Sequence, residues 1–396
     1  MKNKIVKAQK YLKEKNIDAW VIYDYECTNS ALISFIGKRF LTRKSFTVIN
    51  KEKSFIIAHK IDEIFLNDKE ISTYFDLYLY QTWDELMNLI KTLIADKYTS
   101  IIMEYSELGA LPRSSYCDYG TIKMFIDLGL KVESSADLLI SYISTYEGKS
   151  LESQKRAMKI TNDAKDKAFK YIEDNLKKNN VITEYDVVKV ITNHFKENGL
   201  VYDSNPIVAV NGNAGNPHYE PKETHSSQIK KGDLILIDLW AKEDVDYGVY
   251  ADITWMGYAG KKPPEKYIHL FNILKESIDN GLNFLNENLP IREVMGYEVD
   301  ENVRNTLMKY NQDQYLVHRV GHSIDIDNTP HGKGVNIDNY ETHDTRHILD
   351  HVGFSIEPGI YTSEYGFREE IDVYIENKRA ISIAPRQNEL ILLDVD

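Results

Sequence analysis

Two stretches of this sequence end an apolar run on an acid and reach a second acid after a short polar turn. GDLILID at 232–238 ends on Asp238, polar residues 242–246 follow, and GVYADIT then places Asp252. VGFSIE ends on Glu357, a turn falls around 362–365, and FREEIDVYI carries Glu370. Continuous apolar runs bounded by turn residues read as buried strands, so each stretch predicts a hairpin bearing two carboxylates. Folding the first about residue 245 sets Asp238 opposite Asp252, and folding the second about 363.5 sets Glu357 opposite Glu370. Directly opposed residues hold their Cβ atoms about 4.5–5.5 Å apart. Any one such acid is explained as a turn or surface residue. Four of them, on two hairpins packed together, would repel one another unless protonated or neutralised by cations. Two divalent ions balance four carboxylates, and a metal pair about 3.5–4 Å apart activates water and polarises a carbonyl.

Histidines point to the same region. Six of the eleven, His318, His322, His331, His343, His347 and His351, fall within 34 residues just before the second acid pair. His318 and His322 sit in HRVGH, which lacks the glutamate of the HExxH zinc helix and is not that motif. His343, His347 and His351 recur every four residues, so a helix there could offer three imidazoles to zinc. The segment ETHDTRHILDHVG is poor in helix formers, and a surface role serves these three as well.

The elements that must position these groups follow from periodicity. From residue 17 to about 135, short apolar runs (19–23, 54–58) alternate with helical stretches such as 83–95, the pattern of an α/β domain. Residues 147–200 are lysine-rich and helical, with Thr183 and Asp186 forming a capping box that opens a helix over 184–198 and Gly199 placed to end it. Runs at 206–210, 233–239 and 248–255 read as strands, 264–288 and 291–310 as helices, and the sequence from 316 onward as mostly strand. A domain boundary is placed near 147.

Composition narrows the function. The chain has 396 residues, more than one core usually serves, and 48 Lys plus Arg against 61 Asp plus Glu give a net charge of -13. That field opposes nucleic acid and anionic membranes, no run of eighteen apolar residues could span a bilayer, and Cys27 and Cys117 are too few for a disulfide scaffold. The first 16 residues are lysine-rich, with apolar residues at helical spacing and without the apolar centre of a signal peptide, so a cytoplasmic location is the expectation.

With these residues in view, the sequence resembles the pita-bread metallopeptidases, the family of methionine aminopeptidase, aminopeptidase P and prolidase. ILIDLWA with YADIT, VHRVGHSID, FSIEPGIY and GFREEIDV occur in the family's order, and five ligand positions match: Asp238, Asp252, His322, Glu357 and Glu370. The resemblance covers residues 150–396 strongly. IDAWVIYD and SFIGK look more weakly like the amino-terminal domain of the prolidase and aminopeptidase P branch. It implies an α+β chain, with a creatinase/prolidase-like α/β domain at 1–147 and a pita-bread catalytic domain at 148–396. Carried over by position, Asp252 and Glu370 bridge two metals, Asp238 completes one, and His322 with Glu357 completes the other. A bridging water then attacks the scissile carbonyl, with Glu357 shuttling the proton. His218 in GNPHYE and His331 in TPHGKG contact substrate or relay protons, His318 matches the first histidine of the HxxGH pattern, and Arg368 orients Glu370 or holds a substrate carboxylate. One imidazole among carboxylates is a hard donor set; the resemblance points to manganese first, with cobalt, iron or zinc as alternatives, and to a homodimer.

The resemblance implies cleavage of the bond before proline, in Xaa-Pro dipeptides or at the amino end of longer peptides. Departures concern the surroundings. The loop between Asp238 and Asp252 is about three residues longer than common, Trp255 stands where arginine is frequent, Ile371 where prolidases have an acid, and His331 lies nine residues past His322 rather than seven. These leave room for a non-peptidase metalloenzyme on the same fold, such as a lyase or C–N hydrolase acting on a small metabolite. A binding protein with a dead catalytic domain would be expected to lose ligands, and all five are present.

Overall fold

The apolar run at 19–23 becomes β1 (Ala19–Asp24), a strand buried at every position, as a central strand covered on both faces must be. In the computed structural model, residues 1–111 and 114–395 are described, and contacts divide the chain into two units, Met1–Ile143 and Ser144–Asp396. The first unit adds β2 (Ser45–Asn50), β3 (Ser54–His59), β4 (Phe75–Tyr80), β5 (Ser100–Met103) and β6 (Lys131–Ser134), in the sheet order β4-β3-β2-β1-β5-β6. Alternate side chains enter two cores. Trp20, Ile22 and Ile49 meet Ile5, Ala8 and Leu12 of α1 (Lys2–Glu14), while Val21, Val48 and Ile57 meet Leu86 and Ile90 of α5 (Trp83–Ile90). The period-2 alternation of a strand sorts them to opposite faces. Between these lie α2 (Ser30–Ile36), α3 (Glu63–Leu66) and α4 (Lys69–Tyr74); α6 (Tyr119–Asp127) and α7 (Ala136–Ile143) follow.

The second unit opens on α8 (Lys149–Lys177) and α9 (Glu184–Glu197). The predicted capping box is formed: Thr183 Oγ1 accepts from the Asp186 N–H at 3.2 Å, Asp186 accepts from the Thr183 N–H at 2.9 Å, and Gly199 follows the helix at φ 71°. Small buried residues of α8 (Ala157, Ala164, Ala168) let the helix lie close on a sheet. That sheet contains β7 (Leu200–Val201), β8 (Ile207–Val210), β9 (Leu234–Glu243), β10 (Ala251–Tyr258) and β17 (Ile391–Leu392), with β10 beside β9 and with β7 and β8 on the other edge of β9. After α10 (Glu265–Asn288) and α11 (Gly296–Lys309) comes a second sheet, β11 (Ser323–Ile324), β12 (Gly353–Ile356), β15 (Ile371–Glu376) and β16 (Arg379–Ser382), in that order, with β13 (Gly359–Tyr361) and β14 (Gly366–Arg368) as a separate ribbon.

Two expectations change. The segment from 325 to 352 is mostly irregular and not strand, and His343, His347 and His351 do not share a helix. His343 Nδ1 lies 2.7 Å from Asn339 Oδ1, His347 is bridged to Met295 and 3.6 Å from Glu293, and His351 takes φ 68° beside Tyr374. Three such divergent imidazoles cannot share one zinc.

The β13–β14 ribbon is seated against the 3-10 turn Asn211–Gly215 through glycine. A Cβ on Gly366 would lie 1.7 Å from the Ala214 carbonyl oxygen, and one on Gly215 would lie 1.9 Å from that of Thr362. Both neighbours are backbone and cannot swing aside. Gly366→Ala should therefore cost about 1–3 kcal/mol of stability, read by chemical denaturation; a change within about 0.5 kcal/mol, the range of ordinary surface substitutions, would contradict this seating.

Candidate active site

The four acids arrive on the two hairpins, with one change of register. In the β9–β10 ladder Asp238 faces Thr254 and Asp252 faces Trp240, a shift of two from the predicted pairing. The chain turns about residue 246, and because strand side chains alternate with period 2, a shift of two leaves both acids on one face. The second hairpin keeps the predicted register: Ile356 pairs Ile371 and Gly359 pairs Arg368, so Glu357 and Glu370 stand opposite each other where one ladder hands over to the next. The Glu370 N–H donates to Thr254 O at 3.3 Å, which ties the two hairpins together at the site.

His322 supplies the imidazole. Its Nε2 lies 3.4 Å from Glu357 Oε1, 3.6 Å from Asp252 Oδ2 and 4.0 Å from Glu370 Oε1. Its Nδ1 lies 3.1 Å from the Ser323 carbonyl oxygen, so the proton sits on Nδ1 and the Nε2 lone pair faces the acids. Asp252, His322 and Glu370 each bring a ligand atom within 4.8 Å of the other two, all three buried. Asp238, also buried, stands beside them on the wall of the same cavity.

Burial sets the protonation of the cluster. It pushes the Asp252 and Glu370 carboxyls well above the usual range, reinforced at both by Asp238 and Glu357 and at Glu370 also by Asp252. Burial also raises Asp238, against the pull of Arg368, and lifts Glu357 to about 7. The same desolvation holds His322 well below its usual value, so its imidazole is neutral. Asp238 Oδ1 and Asp252 Oδ1 are buried with no hydrogen-bond partner among the described residues. Repelling carboxylates, orphaned oxygens and a neutral imidazole lone pair fit a pair of hard divalent cations.

The surrounding groups hold the acids in place. Thr254 Oγ1 donates to Glu370 Oε2 at 2.8 Å, and Ser355 Oγ donates to Glu357 Oε1 at 3.2 Å while accepting from the His322 N–H at 2.9 Å. Asp372 Oδ2 accepts the Asp252 N–H at 3.1 Å and Gln154 Nε2 at 3.3 Å. Arg368 donates to Asp238, Thr254 and Tyr361, so it holds Asp238 directly and reaches Glu370 through Thr254. The Tyr361 hydroxyl lies 2.7 Å from His318 Nε2, and His318 Nδ1 lies 2.6 Å from the Arg319 carbonyl oxygen. Burial holds His318 down to about 3, so it too is neutral.

A cavity of about 480 Å³ opens on the cluster and is lined by all five ligand-position residues and by His218, His318, His331 and Arg368. The His331 ring packs on that of His322 with centroids 4.1 Å apart. Every residue named from the sequence for this site thus meets one cavity, and the three remaining histidines do not line it. Sequence reading missed Thr254, Asp372, Tyr361 and the cavity wall formed by Asp203, Trp240 and Glu341. Thr254 and Asp372 were accessible, since each lies two residues past a ligand acid on the same strand face; Asp203 and Glu341 come from loops that carry no periodic signal.

Comparison with known proteins places this arrangement in context. The sequence profile of metallopeptidase family M24 matches residues 152–377. A protein of Mycoplasma genitalium named as a candidate Xaa-Pro aminopeptidase is 26% identical over 234 residues, 58% of this chain and 60% of its own length. The chain thus spans less than two thirds of that relative. Among solved structures, the prolidase from Pyrococcus horikoshii OT3 is 19% identical and covers 98% of this chain and 100% of its own, with a TM-score of 0.56. The X-Pro aminopeptidase from Thermotoga maritima MSB8 is 18% identical with 98% and 99% covered and a TM-score of 0.57. At these identities the likeness to the solved structures is one of fold.

Two outcomes follow from the geometry. A role for Asp252 as a ligand shared by two cations predicts that Asp252→Asn loses most bound divalent metal by elemental analysis and at least about 100-fold in turnover while its circular dichroism is unchanged; full metal content with full turnover would sink that role. The second outcome concerns pH. Carboxyls raised on folding contribute stability that is complete below their unfolded values near 4 and is lost as pH rises through the folded value, which for Glu357 is about 7. Metal-stripped protein should therefore melt lower at about pH 8 than at about pH 5, and manganese should raise the melting temperature more at the higher pH. Equal shifts at both would mean that the acids are not strained without metal.

Proposed function

This chain belongs to metallopeptidase family M24, with a pita-bread domain as its second unit, and on that premise we propose that it hydrolyses the peptide bond preceding proline in short peptides. The observation that carries the reading is the set of five ligand-position side chains around one solvent-reaching cavity. Asp252 and Glu370 would be shared by two cations, with Asp238 completing one site and His322 and Glu357 the other. Bound there, the cations would lower the pKa of a water and polarise the scissile carbonyl. So oxygen-rich a set favours manganese, iron or cobalt over zinc, and the family resemblance puts manganese first.

The residues supply the rest. Glu357, at the cluster's edge, would take a proton from the attacking water and return it to the departing proline nitrogen. Ser355 keeps Glu357 aimed. Neutral His318 acts through Tyr361 and Arg368 to fix Asp238, a positioning role rather than contact with the reacting atoms. His218 and His331, exposed at the cavity wall, are placed to meet substrate. Proline lacks an amide N–H and fixes φ, so a site must recognise its ring and the free amine before it.

Two of the departures in sequence, Trp255 and Ile371, lie off this cavity, whereas His331, whose spacing also departs, lines it. The Trp255 ring stacks under Lys165 Nζ at 3.5 Å and Ile371 is buried in the sheet, and neither is among the described residues that line the cavity. Trp255 and Ile371 thus give a non-peptidase reading no support.

The test is a matched set of substrates, an Xaa-Pro dipeptide, an Xaa-Pro-Yaa tripeptide and an Xaa-Ala control, with enzyme stripped of metal and reloaded with manganese. Manganese-dependent cleavage of a proline substrate with the control untouched is expected. Failure on all three with two metals bound would overturn the reading.

A further inference from the structure

His331 lines the catalytic cavity from an irregular stretch between β11 and β12, and its exposed ring packs on that of buried His322 with centroids 4.1 Å apart. An exposed ring keeps one place only where its backbone is held. The backbone here closes on itself: Gly321 and Ile337 exchange two bonds of 3.0 Å, and the Gly332 N–H donates to Ser323 O at 2.7 Å. Inside that closure lies Asp325, 2% exposed and not among the described residues that line the cavity. Its Oδ2 accepts the Lys333 N–H at 2.7 Å, the Gly334 N–H at 3.2 Å and Ser323 Oγ at 3.2 Å. Gly332, the residue after His331, is pressed on the same group, because a Cβ there would lie 2.5 Å from Asp325 Cγ and Oδ2. Asp325 thus meets each of the three residues that follow His331. His322 is held by other atoms: its N–H donates to Ser355 Oγ at 2.9 Å, and its Nδ1 lies 3.1 Å from Ser323 O. The loop needs such a grip, since His331 lies nine residues past His322 where the family resemblance has seven.

We propose that Asp325 is a positioning residue: by gripping the backbone after His331 it fixes that imidazole against His322 and at the substrate. The inference rests on the peptidase reading above, in which His331 meets substrate, and deepens it. One carboxyl oxygen that accepts two successive backbone N–H groups ties the end of β11 to the far side of the loop. Removing it costs the loop its anchor and leaves the Lys333 N–H without its acceptor, which drives the chain to rearrange. His331 then leaves its place while the metal ligands, carried by the two hairpins and by His322, keep theirs. A misplacement of about 1 Å is enough to cost about 100-fold in rate.

The test is a double-mutant cycle on the manganese-loaded enzyme with Ala-Pro as substrate. Asp325→Ala should keep the metal content of the wild type and lower kcat/KM by roughly 10- to 100-fold, and Asp325→Asn, which keeps an acceptor oxygen, should lose less. Because Asp325 acts through His331, Asp325→Ala should add nothing in a His331→Ala background, so the double variant is about as active as His331→Ala alone. A merely structural role would multiply the two losses. That result, loss of metal in Asp325→Ala, or an Asn variant as impaired as the Ala variant would overturn the assignment. The ring itself gives a readout that needs no turnover. In NMR spectra of the protein loaded with diamagnetic zinc, the ring protons of His331, identified by their absence in His331→Ala, carry a ring-current shift from His322. Asp325→Ala should move them to the position of an exposed histidine, with histidines away from the pair unchanged. That movement supports the anchor even if no peptide is cleaved, whereas an unmoved signal refutes it whatever the turnover. Should Asp325→Ala fail to fold, Gly332→Ala, which drives a methyl against the carboxyl from the other side, should displace the same signal, and an unmoved one overturns the proposal as well.

Discussion

Four carboxylates gathered around one imidazole in a buried cluster are the constraint on which the rest of the second unit depends. Two ionised carboxylates about 4 Å apart repel by about 4 kcal/mol at an effective dielectric near 20, and a single neutral hydrogen bond returns about 1 kcal/mol. The bonds from Thr254, Ser355 and Arg368 therefore aim the acids without neutralising the set. Either protons or cations must do so. The raised carboxyls and the orphaned oxygens of Asp238 and Asp252 are the signature of acids held in place for cations. The framework is built to resist this repulsion: β10 carries Asp252, Glu370 immediately precedes β15, and Glu370 is tied across to Thr254.

A buried acid by itself does not have this meaning, as the first unit shows. Glu104 is as deeply buried as the cluster acids, and desolvation raises it too. Yet it accepts from Trp20 Nε1 at 2.6 Å, Ser135 Oγ at 2.9 Å and Asn29 Nδ2 at 3.0 Å. With three donors and no second acid among these partners it knits β1, α2 and the β6–α7 junction together, which is a structural task. The difference between the two environments is the number of acids sharing one space, not the burial of any one.

The cluster was legible because its signal is local and periodic. Acids ending apolar runs identify strands, and period 2 keeps Asp238 and Asp252 on one face even where the predicted register is wrong by two residues. The slip arose because a turn of this length has no sequence mark for its centre. The α9 helix was readable from Thr183 and Asp186, whose reciprocal bonds are contained within four residues. The irregular segment around His343, His347 and His351 was not readable, because a spacing of four implies a helix only where the residues between favour one. Arg319 and Glu341 are 22 residues apart and meet only through the tertiary fold. Long-range pairs between loops leave no trace in spacing.

The central claim is that the cluster holds two cations in place of protons. Calorimetric titration of the metal-stripped protein with manganese near pH 6.5, repeated in buffers of different ionisation enthalpy, counts bound cations and released protons together. Two cations per chain, with protons released on binding, is the predicted result. One cation or none, or two bound without proton release, would contradict it.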